Sequence, residues 1–107
     1  MRRSHILVNV AHHESYGMIF LEAMSQGMLC LGPEWEVQRE ILDDGHAGVN
    51  VPCDTSQIRA ALLRAVEDEE WRLTLASNGF RRFNQRFSPS VVAHRYAALF
   101  QSLLIRP

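Results

Sequence analysis

A chain of 107 residues, 47% of them hydrophobic, can bury one modest core, so it holds one domain or part of one. An aromatic fraction of 8% and a charged fraction of 21% are those of a folded globular chain and exclude a low-complexity or disordered one. The net charge of −1 hides a division: every acid lies between Glu14 and Glu70, whereas residues 71–107 hold six Arg and no acid. Those Arg residues are spread along helical segments that also need solvated faces, so they read as solvation and not as a nucleic-acid surface.

The elements follow in chain order. His5 to Ala11, HILVNVA, is short, apolar and β-branched, as a fully covered parallel strand is. A helix from about Tyr16 to Gln26 comes next, with Ser15 as N-cap and Gly27 as terminator. Met28 to Leu31 reads as a second strand closed by Gly32-Pro33, and strand–helix–strand implies a right-handed crossover between parallel neighbours. Val37 to Asp44 reads as a helix stopped by Gly45, and Gly48 to Val51 as a third strand ended by Pro52. From Thr55 the period is helical, with Ile58, Leu62, Leu63 and Val66 on one stripe, then Leu73, Leu75 and Phe80 in a further helix. Phe87-Ser88-Pro89 breaks the run, and a closing amphipathic helix carries Val92, Tyr96, Leu99, Phe100 and Leu103. The expected fold is α/β: a parallel sheet of about three strands with flanking helices and a helical C-terminal third. Residues 1–107 divide into a strand and helix half over 5–52 and a helical tail over 55–107.

The two cysteines, Cys30 and Cys53, have neither metal-ligand spacing nor the density of a disulfide scaffold, which points to a reduced, cytoplasmic setting. The apolar stretch after Met1-Arg2-Arg3 is too short and too polar for a signal-peptide core or a membrane span. His12, His13 and Glu14 are adjacent in a loop, but neighbouring side chains rarely converge on one ion and no third ligand has helix spacing to them, so no metal is expected. His13 is a tentative lining residue for a sugar.

Glu22 is the one charged side chain between Tyr16 and Leu31, amid Met, Ile, Phe, Leu and Ala. A carboxylate among apolar neighbours costs several kcal/mol unless hydrogen-bond donors compensate it. Two readings follow: Glu22 sits on a narrow polar stripe of its helix, or ligand hydroxyls supply the donors. Glu14, Ser15 and Gly17 occupy the turn between strand and helix, where unpaired N–H groups and the positive helix end favour an anion. Gly17 lets a ligand approach the backbone, and in open parallel sheets ligands sit beyond the carboxyl ends of strands.

The run Glu14-Ser15-Tyr16-Gly17-Met18-Ile19-Phe20-Leu21-Glu22-Ala23-Met24-Ser25-Gln26-Gly27 resembles the signature of the group-1 family of retaining glycosyltransferases, with seven residues between its two glutamates. Glu40 to Pro52, EILDDGHAGVNVP, resembles the family's following Glu-Ile-Val, acid-Gly and Val-Pro segment, and Arg86-Phe87-Ser88 its Phe-Ser-Trp before the closing helix. The resemblance implies two Rossmann-like domains facing a cleft, the C-terminal one holding a nucleotide sugar. It makes Glu22 the ribose ligand and places Glu14 beside the donor sugar. It brings the backbone N–H groups of Tyr16, Gly17 and Met18 to the sugar and diphosphate. The implied reaction is hexosyl transfer with retention of configuration to an unknown glycan, lipid or small-molecule acceptor. The donor is a substrate and no cofactor is expected.

Three departures are visible. Ala11-His12 replaces the family's Pro-Ser, Met28 its strand-opening Pro, and Glu36-Val37-Gln38-Arg39 stands where its Gly-Gly falls. By the same resemblance the acceptor domain and the first strands of the donor domain lie upstream of this sequence, so that residues 1–107 are a single partial domain with a partial Rossmann-like parallel sheet. The chain alone is then expected to be inactive, to sit in the cytoplasm or at the inner face of the membrane, and to dimerise through strand 5–11. The alternative is a noncatalytic module that keeps the fold and binds a nucleotide or a sugar.

Overall fold

The computed structural model describes residues 5–10 and 18–105. Three short strands, β1 (Ile6–Val8), β2 (Leu29–Pro33) and β3 (Val49–Val51), form one parallel sheet in the order β1-β2-β3. Val8 pairs with Leu31 and Leu31 with Val49, so all three carboxyl ends lie on one rim. Helix α1 (Met18–Ser25) joins β1 to β2. Between β2 and β3 lie α2 (Glu36–Ile41) and a 3-10 turn, Asp43–Gly45. Helices α3 (Thr55–Glu67) and α4 (Glu69–Arg82) follow, then a π-helical segment (Phe83–Phe87) and α5 (Pro89–Ile105).

The period-2 alternation of strands divides the core in two. Cys30 faces one side, where Phe20, Ala23 and Met24 of α1 pack with Ile41 and Leu42 of the α2 segment, and Leu7 joins from β1. Leu29 and Leu31 face the other side, against Ala65 of α3 and Leu75 and Ala76 of α4, with Ile6 and Val49 beside them. Central strand β2 is buried along its whole length. Burial pushes the Cys30 thiol up to about 12, whereas Cys53 is exposed.

Gly27 ends α1 as expected, with φ +73° and hydrogen bonds from Gly27 N to Met24 O and from Met28 N to Ala23 O, both 3.1 Å. The second helix is shorter than Val37–Asp44. It stops at Ile41, and the chain then passes through left-handed Asp43, Asp44 and Gly45. The cause lies far along the chain, because the Arg82 guanidinium donates to the Ile41 carbonyl (3.0 Å) and the Glu40 carbonyl (2.6 Å), satisfying the helix end. Arg82 also lies 3.9 Å from Asp43, and Arg39 pairs with Asp44 at 3.0 Å.

Two of the expected core stripes are rotated. Leu63 and Val66 are 46% and 64% exposed, and Ala61, Leu62 and Ala65 face the core instead. In α4, Leu73 and Phe80 are exposed, while Leu75, Ala76 and Gly79 are buried. Small residues are inside because α4 approaches the backbone closely: a Cβ on Gly79 would stand 2.9 Å from the Ala47 carbonyl.

Strand β1 is also less covered than a central strand, with Ile6 and Leu7 half-buried and Val8 exposed, because its far edge has no partner among the described residues. Ala11, the end of the predicted strand, and Ser15, the predicted N-cap, lie outside the described residues. Helix α5 starts as expected, Ser88 Oγ accepting from Val91 N at 3.4 Å and Pro89 opening the helix. Its main contacts are with the π-helical segment, so Val92, Tyr96, Leu99, Phe100 and Leu103 are all exposed and the molecule is elongated, 57 × 25 × 21 Å.

Candidate functional site

The site is built at the carboxyl rim of the sheet. Asn9 continues beyond β1, its N–H donating to Leu31 O at 3.0 Å, so the chain leaves β1 alongside the end of β2. It re-enters at α1, whose first residue is Met18. Between them falls the segment that the sequence singled out. Its residues His13, Glu14, Tyr16 and Gly17 lie outside the described residues, as do His12 and Ser15.

Helix α1 buries Phe20, Ala23 and Met24 and turns its other side outward. Met18, Glu22 and Gln26 recur every four residues along that outer side, and all three are exposed. Glu22 therefore belongs to a polar stripe and not to an apolar pocket within the chain. Its carboxylate remains free for an external partner: among the described residues it carries no ion pair or side-chain hydrogen bond.

On the other side of the rim the sequence drew attention only to the glycine pair missing at Glu36-Val37-Gln38-Arg39. After β2 the chain turns through Glu34 and Trp35 into α2, with Trp35 extended (φ −75°, ψ 154°) and its carbonyl accepting from Arg39 N at 2.8 Å. The indole is 49% exposed and both flanking glutamates are exposed. A cleft of about 440 Å³ runs from Glu34 and Arg39 past Asn50 of β3 to Arg64 and Trp71. The Arg64 guanidinium lies 4.0 Å over the Trp71 ring there. Neither arginine had a signal in the sequence, since both come into the cleft from separate helices. Among the described residues no three His, Cys, Asp or Glu side chains are grouped to hold a metal, and no helix is long and apolar enough to cross a membrane.

Parallel strands with crossover helices and a ligand-ready rim define the class as Rossmann-like α/β. A model of the family "Glycosyl transferases group 1" matches residues 1–82, and the chain belongs to that family. It is 30% identical over 91 residues to a phosphatidyl-myo-inositol mannosyltransferase of Mycolicibacterium smegmatis, covering 84% of this chain and 23% of that protein. Against the N-acetyl-alpha-D-glucosaminyl L-malate synthase of Bacillus anthracis it is 22% identical over 102 residues, 94% of this chain and 27% of that one. The chain thus spans about a quarter of the length of these relatives.

Among solved structures, the C-terminal domain of the group 1 glycosyl transferase LpcC of Francisella tularensis superposes with a TM-score of 0.71 at 27% identity, over 78% of this chain and 44% of that one. The sucrose-phosphate synthase of Thermosynechococcus elongatus gives 0.85 at 24% identity, over 94% of this chain and 26% of that one. Anabaena HepE in complex with UDP gives 0.87 at 20% identity, over 94% and 28%. The last two likenesses are of fold.

Proposed function

We propose that this chain is the nucleotide-sugar-binding C-terminal part of a retaining glycosyltransferase, with residues 5–52 carrying the donor site and 55–107 bracing it. The observation behind this reading is the ordered Glu14 to Gly27 signature inside the family match, with Glu22 exposed on the helix that follows the β1 rim. The UDP-bound HepE neighbour and the mannosyltransferase relative support a nucleotide-activated hexose as donor. In the reaction, Glu22 accepts hydrogen bonds from ribose hydroxyls and Glu14 orients the hexose, with His13 lining it. The N–H groups of Tyr16, Gly17 and Met18 stabilise the leaving diphosphate as its charge develops. The C1–O bond to diphosphate breaks, the acceptor oxygen bonds to C1 on the same face, and the acceptor proton leaves to the diphosphate or to solvent. The acceptor is a glycan, a lipid or a small molecule.

A thermal-shift panel of uridine, guanosine and adenosine diphosphates and their hexose esters tests the donor site. A ligand that binds only the folded state stabilises it, by about 2.7 kcal/mol at a hundredfold excess over Kd, and so raises the unfolding midpoint. One nucleotide family should stand out, and a flat panel at millimolar ligand would reject donor binding.

On its own the chain should bind donor without turnover and self-associate. Among the described residues Ile6, Leu7 and Val8 offer an unpaired edge with no charge or proline, and α5 leaves an apolar stripe uncovered. Strand pairing across a two-fold axis or exchange of α5 would cover these surfaces. Light scattering after size exclusion should give a dimer or larger, and a monomer at high concentration would contradict this.

A further inference from the structure

Between α2 and β3 three consecutive residues lie in the left-handed region, Asp43 (φ 53°), Asp44 (φ 50°) and Gly45 (φ 91°). Glycine takes such angles freely, but an aspartate is strained there by its Cβ, so the pair persists only where its surroundings over-determine it. Those surroundings are polar. Arg39 of α2 donates to Asp44 at 3.0 Å, with both side chains more than half exposed. Asn78 of α4 donates to the His46 carbonyl at 2.9 Å. Arg82 of α4 holds the Glu40 and Ile41 carbonyls just before the turn and lies 3.9 Å from Asp43.

Residues 43–46 take no share in the core. Asp43, Asp44 and His46 are exposed, whereas Leu42 and Ala47 at the two ends are buried. Ala47 is pinned against α4, since its carbonyl lies 2.9 Å from where a Cβ on Gly79 would stand. Open space lies on both sides of the segment. Asp44 and Gly45 line the cleft of about 440 Å³ that reaches Asn50, Arg64 and Trp71, and Asp43 and His46 line a hollow of about 270 Å³ beside Asn78 and Arg82. A strained segment with buried, fixed ends, polar holds and room on either side can open locally while the core stays packed. We propose that residues 43–46 are a strap, clasped by Asn78 and Arg82 of α4 and by Arg39, whose opening and closing sets the width of the cleft beside β3. The strap is independent of the donor-site reading, because neither it nor its clasp includes a residue of the Glu14 to Gly27 signature.

Amide hydrogen exchange in the chain tests this, because the segment carries its own reporters. The Gly45 and Ala47 N–H groups donate to the Leu42 carbonyl and the His46 N–H to the Asp43 carbonyl. Met28 N–H, bonded to the Ala23 carbonyl at the buried junction of α1 and β2, reports the core. In the unmodified chain the Gly45, His46 and Ala47 amides should exchange about tenfold or more faster than Met28, the sign of opening apart from global unfolding. Asn78→Ala should speed them about three- to tenfold further and leave Met28 unchanged. Asp44→Ala should speed them more than Asp44→Gly, because both lose the ion pair but glycine relieves the left-handed strain. The cleft is read at Trp71. The chain has two indole N–H resonances, which Trp35→Phe assigns in the ¹⁵N–¹H spectrum, and the strap variants should move that of Trp71 and not that of Trp35, which does not line the cleft. Strap amides that keep pace with Met28 in the unmodified chain and in every variant would show opening only by global unfolding and end the proposal. Faster strap exchange with an unmoved Trp71 resonance would overturn it too, leaving a frayed turn with no hold over the cleft.

Discussion

Phe20→Ala is expected to lower the stability of the chain by about 3–5 kcal/mol, the range for removing a fully buried aromatic ring. Phe20 is 0% exposed and sits between α1 and the centre of the sheet. The ring edge lies where a Cβ on Gly32 of β2 would be, 2.9 Å from Cζ, and Met24 and Leu42 belong to the same buried cluster. The site cannot collapse easily, because α1 is tied to β2 from both sides: Gly27 and Met28 close the helix onto its last turn, and the Cys30 thiol donates to the Phe20 carbonyl at 3.7 Å. A domain of this size has roughly 5–15 kcal/mol in total, so the variant should lose a large share of its stability and unfold at a much lower urea concentration than the unmodified chain. Met18→Ala, two residues earlier in α1 and 69% exposed, should change stability by less than about 0.5 kcal/mol. Urea denaturation followed by circular dichroism compares the two. A loss below 1 kcal/mol at Phe20 would mean that the α1 face is not the core described above.

The parallel sheet was legible because β-branched and apolar runs alternate with helical ones, and Gly27, Pro52 and Ser88-Pro89 punctuate them where the structure does. What the sequence concealed depends on distant partners. Nothing local tells that Arg82 caps α2 from 42 residues away, and that contact decides where the helix ends. Large apolar residues misled the reading of α3 and α4, because size is a poor guide to burial where helices approach closely. Ala65, Ala76 and Gly79 go inside, Gly79 because a Cβ there would meet the Ala47 carbonyl at 2.9 Å, and Leu63, Val66 and Phe80 stay out. The first and last elements were overestimated for a related reason: β1 and α5 carry the composition of buried elements, but β1's outer edge and α5's apolar stripe have no cover among the described residues. Of the site, the spacing of Glu14 and Glu22 was readable as a motif. Trp35 was not, since a single aromatic in a loop has no periodicity to betray it.

Glu22→Ala is expected to weaken nucleotide binding by the enzyme that carries this segment, while leaving the fold unchanged. Hydrogen bonds to a charged group are worth about 1.5–3 kcal/mol, which corresponds to roughly 10- to 150-fold in affinity. The structure sharpens the test, because Glu22 shares an exposed stripe with Met18 and Gln26 and so has no packing role to lose. Stability should move by less than about 0.5 kcal/mol, so a change in affinity cannot be charged to unfolding. Glu22→Gln separates the two components: an amide oxygen still accepts from a hydroxyl but without the charge, and its loss should fall between wild type and alanine. The effect should also be insensitive to the hexose, because ribose is common to the diphosphate and its ester. Calorimetric titration with both ligands reads all three variants. A change under twofold at Glu22→Ala would leave Glu22 as an ordinary solvated position of α1, and the ribose would then have to be held by residues outside this helix.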